Sequence, residues 1–279
     1  MEIIKNKNFD EERSLYHIMN AKIENCTFAG PADGESVLKE ARNIEVVDSR
    51  FSLRYPLWHV DGFVLSHSTL DEKTRAPIWY AKNGSIVDSS IHSIKGVREC
   101  DHITIRNCDI ASNEFGWKSH HIEMKDSTIA SEYIFLDSTD VSLENVQMKG
   151  KYSFQYMENL TIENCILDTK DAFWHSKNVT VRNSVVKGEY LAWFSDGLTL
   201  DHCKIMGTQP LCYCKNLTLI DCEMIDTDLA FEYSDVLATV VSSIDSIKNP
   251  RSGKIVAKSI GEIIREGSIM KDTCEIVTE

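Results

Sequence analysis

Residues 159–167 read Asn159-Leu160-Thr161-Ile162-Glu163-Asn164-Cys165-Ile166-Leu167, and the pattern returns as Asn178-Val179-Thr180-Val181-Arg182-Asn183-Ser184-Val185-Val186. Aliphatic residues alternate with polar ones, then an Asn, a small residue and another aliphatic follow. Alternation with period two marks a strand with one buried face. Taking the small residue as a marker, the motif recurs at Cys26, Ser49, Ser68, Ser89, Cys108, Ser127, Val146, Cys165, Ser184, Cys203, Cys222 and Val241. The gaps are 23, 19 and 21 residues, then 19 throughout. The irregular gaps are early, where Gly30-Pro31-Ala32-Asp33-Gly34 and Asp71-Glu72-Lys73-Thr74-Arg75 read as surface insertions.

The repeat columns have a physical meaning. Ile162, Val181 and Leu200 stand three residues before the marker, and Leu167, Val186 and Ile205 two after it. Five residues apart, they cannot both point inward along one straight strand, so the chain must bend between them. The bend falls on Asn145, Asn164, Asn183, His202 or Asp221, and Asn and Asp tolerate the left-handed conformation that such a bend needs. Asn145, Asn164 and Asn183 are expected to stack with buried side chains. His67 and His202 stand in the same column and read as structural.

A strand, a bend, a short strand and a third segment, repeated in register, make an all-β fold, a single-stranded parallel β-helix or β-solenoid with 19-residue rungs. About 12 rungs are expected between end caps, in one domain spanning 1–279. Residues 1–18 would form the N-terminal cap, 19–245 the regular rungs, and 246–279 the last atypical rung and C-terminal cap. Caps are needed because a bare terminal rung leaves an open strand edge.

These runs look like the parallel β-helix repeat of pectin-lyase-like proteins. The whole chain resembles a bacterial domain-of-unknown-function family of short pectin-lyase-like right-handed β-helices. The matching segments include Arg54-Tyr55-Pro56-Leu57-Trp58-His59, Lys151-Tyr152-Ser153-Phe154-Gln155-Tyr156, Asp171-Ala172-Phe173-Trp174-His175 and Gly188-Glu189-Tyr190-Leu191-Ala192-Trp193. The resemblance implies a right-handed twist and supplies no activity, since one fold hosts many functions.

Composition narrows the partners. A net charge of −13 disfavours nucleic acid and polyanionic saccharides. The start Met1-Glu2-Ile3-Ile4-Lys5-Asn6 has no signal-peptide core, and no apolar run is long enough to cross a bilayer. The nine cysteines do not space like a small disulfide framework, so a cytoplasmic location with reduced thiols is expected.

The third segment of each rung departs from an ordinary core pattern. Trp58, Trp117, Trp174 and Trp193 stand nine residues after the marker, together with Arg98 and Gln155, and Trp79 joins them if the two-residue insertion in its rung precedes it. Strict alternation turns this column inward and the columns at +6, +8 and +10 outward. That exposes Tyr133, Phe135 and Asp137; Tyr152, Phe154 and Tyr156; Asp171, Phe173 and His175; Tyr190, Ala192 and Phe194; and Gln209, Leu211 and Tyr213. Such an aromatic face fits in-register stacking for stability, a homodimer interface, or a saccharide site with Tyr133, Tyr152, Phe154, Tyr156, Phe173, Tyr190, Lys151 and Lys170 as binding residues.

Glycosidic hydrolysis needs two carboxylates. The best candidate cluster is Asp171, His175, Glu189 and Asp168, flanked by Lys170 and Lys151. The plainer alternative is a surface charge ladder of Glu132, Lys151, Lys170 and Glu189. No cofactor or metal is expected. Cys212-x-Cys214 has the wrong spacing for a zinc knuckle, and no Asp-rich calcium loop or phosphate loop appears.

Overall fold

The structure, a computed structural model, describes residues 1–30 and 35–278. The expected insertion at 30–34 lies largely outside the described residues. The fold is an all-β parallel solenoid of about 14 turns, spaced about 19 residues apart. Contacts group the chain into two compact units, Met1–Ser142 and Leu143–Glu279, and the same rung is built in each.

In the second unit the six-residue strands Glu158–Glu163, Lys177–Arg182 and Asp196–Asp201 pair in parallel, aligning Leu160 with Val179 and Leu198, and Ile162 with Val181 and Leu200. The three-residue strands Ile166–Asp168, Val185–Lys187 and Lys204–Met206 align Leu167, Val186 and Ile205. All nine side chains are buried. In the first unit Ile103 aligns with Ile122, and Ile91 with Ile110 and Ile129, in the same way. Stacking like residues at the strand spacing of about 4.8 Å makes each core column continuous.

Between the two strands the chain turns on one left-handed residue. Asn107, Asn164, Asn183, His202 and Asp221 have φ of 50°, 53°, 48°, 50° and 46°. The side chains of Asn145, Asn164 and Asn183 are nevertheless exposed, against the expectation of a buried stack. The left-handed turn swings them outward and points the next residue in. That next residue is the marker, and it carries the buried polar ladder. Ser184 Oγ accepts from Cys165 N at 2.9 Å and donates to Arg182 O at 2.6 Å. Cys26, Ser49 and Ser68 each donate N–H to the marker hydroxyl of the following turn at 3.1 Å. At these turns the hydroxyl satisfies a buried N–H that the bend leaves without a strand partner, although Val146 fills the same column without one. A second left-handed column, including His102, His121, Asn159, Asn178 and Asn216, stands at the start of most long strands and was not anticipated from the sequence.

The third segment is not a regular strand over most turns. Its alternate residues have positive φ, as at Tyr152, Phe154 and Tyr156 (57°, 59°, 56°) and at Asp171, Phe173 and His175 (53°, 60°, 57°). Period-two parity therefore fails. Two consecutive residues point inward, as Ser153 and Phe154, Ala172 and Phe173, and Leu191 and Ala192 are all buried. Phe135, Phe154 and Phe173 are fully enclosed core residues, which corrects the expectation that they face away from it.

The ends continue the solenoid. Glu2–Lys5 pairs with the strand Met19–Glu24, so the expected N-terminal cap is itself a turn. At the other end Asp235–Lys248 pairs with Ser252–Ile264, which pairs with Glu275–Thr278. Among the described residues no helix is long and apolar enough to cross a membrane.

Candidate functional site

With the +8 column buried, the aromatic surface of the second unit is carried by +9 and +10. Tyr156, His175, Phe194 and Tyr213 stack on one another with ring centroids 5.0, 5.1 and 4.8 Å apart and interplanar angles of 8–12°. Tyr233 continues the column at 6.0 Å. Tyr156 is 55% exposed and Phe194 46%. Left-handed φ at every one of these positions throws the rings outward in register. His59 and Tyr80 repeat the arrangement in the first unit at 4.9 Å.

The neighbouring tryptophan column is half-buried, neither core nor fully exposed. Trp174 donates its indole N–H to Tyr190 O at 2.6 Å and Trp193 to Gln209 O at 2.8 Å. Gln155 uses the same column to donate to Asp171 O at 2.9 Å. Tryptophan and glutamine thus interchange because both supply an N–H to a carbonyl of the next turn. Arg98, awkward for a buried column, lies 5.9 Å from the Trp79 ring and 5.1 Å from the Trp117 ring, and pairs with Glu99 at 3.4 Å. Trp174 and Trp193 are parallel, with centroids 5.4 Å apart. Trp193 stands at 85° to Phe194 and 78° to Tyr213.

The predicted binding residues divide accordingly. Tyr156 belongs to the exposed ladder. Phe154 and Phe173 are enclosed and cannot contact a ligand. Tyr152 and Tyr190 are half-buried, and Tyr133 is exposed in the first unit. Tyr190 packs edge-on to Trp193 at 5.3 Å. Lys151 lies 5.6 Å from the Tyr152 ring and Lys170 5.4 Å from the Tyr190 ring.

The predicted catalytic set is only partly assembled. Lys170 binds Glu189 at 2.8 Å, one pair of the expected charge ladder. Asp168 lies 3.9 Å from Lys187. Asp171 is 7% exposed, and burial, partly offset by Lys170 and reinforced by Glu189, holds its carboxyl above the usual range. His175 stands in the exposed ring stack, and among the described residues no hydrogen bond or ion pair joins it to Asp171. The arrangement places one buried carboxyl beside an ion pair. The nine thiols are buried and free, with burial pushing Cys100 up to about 12 and Cys214 to about 11.

Comparison with known proteins gives fold likeness and a family. The surface adhesin PfbA of Streptococcus pneumoniae superposes with a TM-score of 0.43 at 9% identity, over 95% of this chain and 85% of the adhesin. The A-module of the mannuronan C-5 epimerase AlgE6 of Azotobacter vinelandii gives a TM-score of 0.38 at 10% identity, over 99% and 88%. The catalytic domain of a GH87 α-1,3-glucanase gives 0.30 at 6%, over 99% and 63%. Superpositions this loose carry no argument about activity. No curated protein matches the chain. A family match does extend over residues 2–277, and the chain belongs to the family described as "Protein of unknown function (DUF3737)".

Proposed function

We propose that the protein binds a neutral oligosaccharide on the third-segment surface of the second unit, between Tyr156 and Tyr233. The observation that carries this reading is the near-perpendicular meeting of two aromatic columns, with Trp193 at 85° to Phe194 and 78° to Tyr213. Where one column offers ring edges, the other offers ring faces. A sugar has the matching duality, with apolar C–H faces and a rim of hydroxyls. The hydroxyls of Tyr156, Tyr213 and Tyr233 supply hydrogen-bonding groups within the same surface. The net charge of −13 favours a neutral ligand over a uronate polymer. Binding is favoured over hydrolysis because the other two carboxylates of the candidate cluster, Glu189 and Asp168, are paired with Lys170 and Lys187.

A glycan array carrying neutral and uronic-acid oligosaccharides tests the reading, with wild-type protein and a Tyr156→Ala/Phe194→Ala variant. Retention on neutral glycans by the wild type alone is the expected result. No retention, together with a dimer that the same variant dissociates, would replace it with self-association through this face.

A further inference from the structure

The left-handed column at the start of the long strands carries Asn more often than any other residue, at Asn20, Asn43, Asn83, Asn159, Asn178 and Asn216. Gly62, Asp140 and Gly197 take the place at other turns, and at two successive turns of the first unit His102 and His121 stand there. Asp101 pairs in parallel register with His120, which sets His102 level with His121. Both residues have left-handed φ, 55° and 53°, so both rings leave the backbone in the same direction. Their centroids are 4.3 Å apart with an interplanar angle of 21°.

The two rings converge on one carboxylate. His102 Nδ1 lies 3.0 Å and His121 Nδ1 2.7 Å from the same oxygen, Asp101 Oδ1. One potential ligand atom from each of the three residues lies within 4.8 Å of the others. On the far side of the second ring His121 Nε2 lies 3.8 Å from Asp140 Oδ2, an ion-pair contact that a small side-chain rotation would close to a hydrogen bond. A ligating histidine typically donates its other ring N–H to a carboxylate, and Asp140 is placed to accept it.

From this geometry we propose that Asp101, His102 and His121 form a surface site for zinc, with Asp140 positioning His121. Two imidazole nitrogens and one carboxylate oxygen form a zinc donor set, with bonds of about 2.0–2.2 Å. They are a poor set for calcium or magnesium, which take oxygen ligands. The side chains are about half exposed, so a rotation of Asp101 opens the place its oxygen now occupies between the two nitrogens. Solvent can supply the fourth ligand. The site would tie two successive turns together at their surface. Sequence spacing hides it, because His102 and His121 stand a full turn apart and meet only when the turns stack.

The test is calorimetric titration of zinc into chelator-treated protein near neutral pH, with cobalt absorption as a second readout. The wild type is expected to bind one equivalent. His102→Ala and His121→Ala should each lose saturable binding, and Asp140→Asn should weaken it about tenfold. His92→Ala breaks an exposed histidine–aspartate pair with Asp109 outside the cluster and should leave binding unchanged. All four side chains are exposed, so thermal melting should show each variant folded. Absence of saturable binding in the wild type, or wild-type affinity in a His102→Ala/His121→Ala variant, would overturn the assignment.

Discussion

At the bend, Asn164 and Ser184 divide two tasks between neighbouring columns. Asn164 supplies left-handed backbone with its amide in solvent, whereas Ser184 supplies a buried acceptor to Cys165 N. Replacing Asn164 with Leu should therefore cost about 1–2 kcal/mol in backbone strain, and replacing it with Gly far less. Equal losses in urea unfolding would mean that the amide itself carries the stability. Ser184→Ala leaves the Cys165 N–H without its acceptor and should cost about 1–3 kcal/mol in the same measurement. Asp171 gives a dependence on pH. Burial raises its folded carboxyl above the ordinary value of 3.8. A raised group contributes stability below the unfolded value and loses it as pH rises through the folded one. Asp171→Asn should thus raise the melting temperature at pH 7, with the gain disappearing in acid. A gain that persists below the unfolded value would contradict this linkage.

At the scale of one rung, the first two strands were legible and the third segment was not. Leu160, Ile162 and Leu167 follow period two with a single bend, so their burial could be read directly from the sequence. Phe154 and Phe173 could not, because left-handed residues at alternate positions bring two neighbours inward together. Tyr152, Phe173 and His175 in left-handed conformation have no local sequence signature comparable to that of Gly or Asn. The hint available was the mixed Trp, Arg and Gln column, which period-two reasoning would have had to bury. The corrected parity predicts a sharp asymmetry between neighbouring columns. Phe173→Ala should cost about 3–5 kcal/mol as a core truncation. Phe194→Ala, in the exposed ladder, should stay within about 0.5–1.5 kcal/mol, the worth of an aromatic contact. Chemical denaturation of the two variants decides it, and a reversed order would restore the original parity.

For the whole molecule, the repeat that makes the fold readable also explains why function was harder to read. Asn, Ser, Cys and His residues that would ordinarily draw attention as catalytic or metal-binding are repeated as bend and ladder positions. Glu189 and Lys170 likewise form a surface ion pair between successive turns. What departs from the repeat is the His102–His121 pair and the exposed stack through Tyr156, His175, Phe194 and Tyr213. The saccharide account rests on that stack. Its most direct test is calorimetric titration of the best neutral oligosaccharide from the array into wild-type protein and into the Tyr156→Ala/Phe194→Ala variant. Two aromatic contacts of about 0.5–1.5 kcal/mol each predict affinity weakened at least about fivefold in a variant that still melts cooperatively. Equal affinity in the two proteins would contradict the account.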